Sequence, residues 1–189
     1  MPGGGGNDFA APAFFGNRML WRLLILLLLS AAPALSEDWR VYENGRFGYS
    51  IELPPEFSID MLPDNGDGLT LAPADRSARL LVFGTESLGG DFAAEAKLRL
   101  GLSRNEGWQI SYSKLSSRGL SFSGTRRDRI VYVRGVALCG GGAAFFQMDY
   151  PKAAMQRYDA VVMRLARSLR PTVKCALAPR PARDALRGP

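Results

Sequence analysis

Along residues 47–53, FGYSIEL, the apolar side chains Phe47, Tyr49, Ile51 and Leu53 fall at every second position. A period of two predicts a half-buried strand. Pro54 and Pro55 end it, because proline donates nothing to a ladder, and Phe57 opens a second apolar patch. PDNGDG at 63–68 contains Asn-Gly and Asp-Gly pairs, which favour turns with positive φ. LTLAP and ARLLVFG then read as short strands. The near-continuous apolar run of the second predicts cover on both faces.

Between Gly89 and Gly107 the period becomes helical. Asp91 is placed to cap a helix, Phe92, Leu98 and Leu102 are its predicted inward face, and Gly107 stops it. WQISYSKL alternates through Ile110 and Tyr112, GLSFSGTR through Leu120 and Phe122, and DRIVYVRGVALC through Ile130, Tyr132 and Leu138. GGG at 140–142 turns the chain back into AAFFQMDY. Pro151 suits the first turn of a last helix, where Met155, Tyr158, Val162, Leu165 and Leu169 recur at helical spacing before Pro171 stops it. Helices segregated from runs of hairpin strands predict an α+β domain: an antiparallel sheet with helices packed on it.

RFGYSIELPPEF resembles the opening strand of the PsbP-like fold, a superfamily of small exported α/β sandwiches. FFQMDYPKAAMQRYDAVVMRLARSLRP is similar to its close, in which a strand enters a long terminal helix that leads to a final pair, here Ser168-Leu169. VYENGRFGYSIELP and PDNGDG also resemble a set of uncharacterised exported bacterial proteins. The resemblance covers residues 40–170. It implies the fold and an accessory or assembly role that works by binding partners. It carries no known partner-binding residue onto this chain.

The ends change the picture. Arg18 and Arg22 precede the apolar run Leu23 to Leu29, and SAAPALS follows with small residues at Ala34 and Ser36. This is the layout of a signal peptide over residues 1–36, cleaved before Glu37. The alternative is an uncleaved anchor. The stretch from Leu23 to Leu35 is short of the roughly 20 residues that span a bilayer, and no cysteine at the cleavage site offers a lipid anchor. Met19 stands directly before the apolar run as an alternative start. Residues 37–172 then form one domain, and 173–189 a Pro/Arg-rich tail. The periplasm, or secretion beyond it, is the expected location, with membrane contact only through the uncleaved leader.

The net charge of +6 is concentrated at the end. Arg170, Lys174, Arg180, Arg183 and Arg187 face only Asp184 there, so the folded part is close to neutral and no nucleic-acid partner is expected. The tail is either a solvated terminus or a contact for anionic envelope material. Cys139 and Cys175 are the two cysteines, and in an exported chain they read as one disulfide.

With no histidine, Ser-His-Asp and Cys-His catalysis is excluded, as is histidine metal ligation. No serine sits in G-x-S-x-G. PDNGDG places Gly66 and Gly68 where a Ca²⁺ loop needs oxygens, and CGGGAA lacks the lysine of a phosphate loop. No metal site and no cofactor are expected. TRRDR puts Arg126, Arg127 and Arg129 in one predicted loop, either a solvated turn or a site for an anionic partner. The reading that follows is a non-enzymatic exported module that binds a protein or a cell-envelope component. The alternative is a periplasmic carboxylate-dependent hydrolase, drawing on Glu52, Glu56, Asp60, Asp64 and Asp67.

Overall fold

The computed structural model describes residues 38–173. The predicted leader and most of the basic tail, with Cys175, lie outside the described residues, so the Cys139–Cys175 pairing does too. The chain runs β1 (Arg40–Asn44), β2 (Tyr49–Leu53), β3 (Phe57–Met61), β4 (Gly68–Pro73), β5 (Arg79–Glu86), α1 (Phe92–Asn105), β6 (Gln109–Leu115), β7 (Gly119–Arg126), β8 (Arg129–Ala137), β9 (Gly142–Pro151), α2 (Met155–Ser168) and β10 (Arg170–Pro171). Every strand pairing is antiparallel. The order β3-β4-β5-β9-β8-β7-β6 makes a seven-stranded sheet, and β1-β2-β10 a small one. The α+β expectation therefore holds.

Alternation along β9 explains the layering. Ala144, Phe146, Met148 and Tyr150 point to one face, into a core shared with Tyr49, Ile51 and Leu53 of β2 and Tyr158, Val162 and Leu165 of α2. Ala143 and Phe145 point to the other, into a core shared with Phe92 and Ala96 of α1, Trp108, Phe122 and Val133. The strand is apolar without a break over Ala143–Phe146 because both its faces are covered there. PDNGDG is the β3–β4 hairpin turn, with Gly66 at φ 68°. It also holds the small sheet in place. Arg46 pairs with Asp67, Asn44 Nδ2 donates to the Gly66 carbonyl at 2.9 Å, and the Tyr49 hydroxyl donates to the Asp67 carbonyl at 3.2 Å. Burial, and next to it Tyr42, raises the Tyr49 phenol well above its ordinary value.

α2 buries the positions its spacing predicts, except Met155, which is half exposed. Asp91 caps α1 as expected, its carboxylate accepting from the Ala93 N–H at 2.9 Å. The inward face of α1 follows the prediction at Phe92 only. Phe92, Glu95, Ala96 and Ser103 are buried, while Leu98 and Leu102 stand 41% and 43% exposed. Glu95 takes an inward position because Arg99, one turn on, donates to it from Nε at 2.7 Å. The pair displaces the leucines to the flank of the helix.

Candidate functional site: an arginine-lined cleft

On the face covered by α1, a cleft of about 420 Å³ opens beside the helix. Its floor is the seven-stranded sheet: Leu81 and Phe83 of β5, Phe145 and Gln147 of β9, Val133 of β8. Its wall is Arg99, Leu102 and Glu106, and Arg79, Arg126 and Asp149 stand around its far side. Four separate stretches of chain thus bring charge to one hollow.

The arginines differ in what they already hold. Arg99 is paired with buried Glu95, and its guanidinium lies 4.9 Å from the Phe83 ring centre and 5.6 Å from that of Phe145. This cation is fixed in place by a carboxylate and two aromatic faces. Arg126 stacks on Trp108 at 4.4 Å and donates to the Glu106 carbonyl at 2.8 Å. Arg79 sits opposite Asp149 in the β5–β9 register, but that carboxylate accepts from Arg129 Nε at 2.7 Å. Among the described residues, neither Arg79 nor Arg126 has a carboxylate partner. Guanidinium donors without an internal anion are what an incoming carboxylate or phosphate requires.

The arginine cluster expected from TRRDR is therefore divided. Arg126 lines the cleft. Arg129, its cross-strand neighbour, is held by Asp149 and by the Ser77 carbonyl at 3.2 Å. Arg127 forms the hairpin tip at φ 55°, exposed. Arg79 and Arg99, the other cations of the site, come from β5 and α1. Their distance along the chain hid them, and the one local signal was the Glu95–Arg99 spacing on a predicted helix.

The acidic residues do not converge. Glu52 pairs with Arg164, Asp60 with Arg76 and Asp67 with Arg46, at three separate places. Among the described residues no group of three or more Cys, Asp or Glu side chains could hold a metal ion. On the opposite face, Ser121 of β7 is buried and accepts from Arg134 Nη1 at 2.9 Å.

No family model matches the chain, and no curated protein matches it. Among solved structures it is similar to the solution structure of a cyanobacterial PsbP (CyanoP) from Synechocystis sp. PCC 6803. The match has 11% sequence identity and a TM-score of 0.55, and covers 75% of this chain and 97% of the other. At that identity the likeness concerns architecture, and function has to be argued from the site. The two packed antiparallel sheets with their two helices are thus a PsbP-like fold.

Proposed function

We propose that the protein is an exported, non-enzymatic binding module whose cleft takes an acidic group of a protein or cell-envelope component. One observation carries this reading: Arg79 and Arg126 enter one hollow from β5 and β7 with no carboxylate of their own, beside the fixed cation Arg99. The leader-like segment before Glu37 supports export. No helix among the described residues is long and apolar enough to cross a membrane.

The test uses residues 37–189 and immobilised poly-glutamate as the acidic probe. Binding is expected to weaken as salt rises. Arg79→Ala with Arg126→Ala should lower affinity by about tenfold or more, since each charge-assisted bond is worth roughly 1.5–3 kcal/mol. The melting temperature should fall by only a few degrees: neither residue closes an internal ion pair, and the loss is that of Arg126's stacking on Trp108 and its bond to the Glu106 carbonyl. Arg127→Ala, at the hairpin tip, is the control. Binding that ignores both the double change and raised salt overturns the reading.

A further inference from the structure

The sheet face that carries the cleft is only partly covered. Seven strands spaced ~4.8 Å apart make a sheet about 29 Å wide, whereas one helix with its side chains covers about 10–12 Å. α1 packs on β6, β7 and β9. Its main packing contacts do not extend to β3, β4 or β5. The cleft continues there into a second hollow that shares Leu81, Phe83 and Arg99 with it and is edged by Pro63. Beside these run apolar side chains that the fold leaves unburied. Met61, 54% exposed, stands at the β3 end of a row whose middle member, Thr70, is buried and whose far member, Leu81, is half-buried. Leu98 and Leu102, one turn apart, flank the trough from α1.

The result is a trough beside α1 with Leu81 and Phe83 at its base and Arg79, Arg99 and Arg126 about one end. We propose that it seats an amphipathic acidic helix of a partner protein, whose apolar face lies on Leu81, Leu98 and Leu102 and whose carboxylates meet the arginines. The inference rests on the reading of the cleft given above and adds the form of the partner. Charge selects the occupant. The chain's own apolar leader carries Arg18 and Arg22 against Asp8, and its tail five bases against Asp184. The leader or the tail of this chain would set cations against cations.

The probe is a blocked synthetic peptide of about four helical turns, with Leu at i, i+3, i+4 and i+7 and Glu elsewhere. A peptide of the same composition in scrambled order is the control. Calorimetry on residues 37–189 should show the amphipathic peptide binding about tenfold more tightly than the scrambled one. Leu98→Ser, a surface change outside the cleft wall, should remove much of that preference and leave poly-glutamate binding unaltered, and adding Leu102→Ser, in the wall, should remove most of what is left. Arg79→Ala with Arg126→Ala should weaken both probes. Equal binding of the two peptides, indifference to the leucine pair, or no peptide binding at millimolar concentration would overturn the helix slot while leaving the acidic cleft in place. Indifference of every probe to the arginine pair would remove both readings. Self-association that depends on Leu98 and Leu102 would assign the trough to a second copy and overturn the proposal.

Discussion

Replacing Gly135 by alanine should lift the floor of the cleft. Gly135 lies on β8 opposite Phe145 of β9. A Cβ there would stand 2.3, 2.6 and 3.2 Å from three carbons of the Phe145 ring, whereas carbon atoms rest at about 3.5–4.0 Å. The ring would have to move by more than about 1 Å to restore that spacing. It has nowhere to go. Phe145 is fully buried, stacked on Phe92 at 6.2 Å and on Phe83 at 5.5 Å, with the Arg99 guanidinium above it. Overpacking of this kind costs about 1–3 kcal/mol, offset by about 0.5–1 kcal/mol because alanine orders more easily than glycine. The net loss should be about 1–2 kcal/mol, and the melting temperature should fall by roughly 3–8 °C. Gly119→Ala is the internal comparison, since its Cβ would meet nothing closer than 3.6 Å. That change should be neutral or stabilise by up to about 1 kcal/mol. Urea titration of both variants, repeated in a Phe145→Leu background, isolates the cause. In that background Gly135→Ala should cost at least about 1 kcal/mol less. An equal cost in the two backgrounds would refute the steric argument. Poly-glutamate affinity should fall with Gly135→Ala, because the displaced ring carries Arg99 with it.

Tyr49 should give the domain an alkaline limit: its raised pKa means that above about pH 10 the unfolded chain loses the phenolic proton while the folded one keeps it, so stability present below that pH declines as pH rises. Urea midpoints followed upward from neutral pH should show this fall, shallower in Tyr49→Phe, and an identical fall in the variant would refute the assignment. Intact-mass measurement of the exported form should give a chain beginning at Glu37 with Cys139 and Cys175 joined. The Cys139 sulfur lies 3.6 Å from the carbonyl oxygen of Val173, two residues before Cys175, and full-length chain in the membrane fraction, or two labelled thiols after unfolding without reductant, would refute export or pairing respectively.

The strands β7–β9 and helix α2 were legible because of their periods and their punctuation, with Gly140 and Gly141 at positive φ between β8 and β9, but Pro151, expected in the first turn of the helix, closes β9 instead and α2 begins at Met155. Strands β1 and β3 were not. RVYEN has no apolar alternation, being exposed at Arg40, Val41 and Glu43. FSIDM buries only Phe57 and carries a register shift between Ile59 and Met61 that breaks the period of two. β10 is two residues long and exists only because β2 is there to pair with. α1 was found, and Phe92 placed inward, but Leu98 and Leu102 were not, since a rule that sends leucine inward cannot foresee a buried Glu95 satisfied by Arg99. The same limit applied at the cleft. Arg126 and Arg129 are visible as neighbours in sequence, but which of them is already occupied depends on Asp149, a residue on another strand.

The strand order also dictates when this domain can exist. β5 pairs with β9, not with β6, so β3–β5 and β6–β8 are separate hairpin runs until residues 142–151 arrive to join them. α2 and β10, which close the other side, come later still, and β10 lands on Tyr49 and Ser50 near the start of the domain. A chain emerging from the ribosome therefore has local turns to form but no joined sheet until its last elements are out. Folding waits for nearly the whole molecule, and such a chain stays pliable enough to be threaded across a membrane before its structure locks.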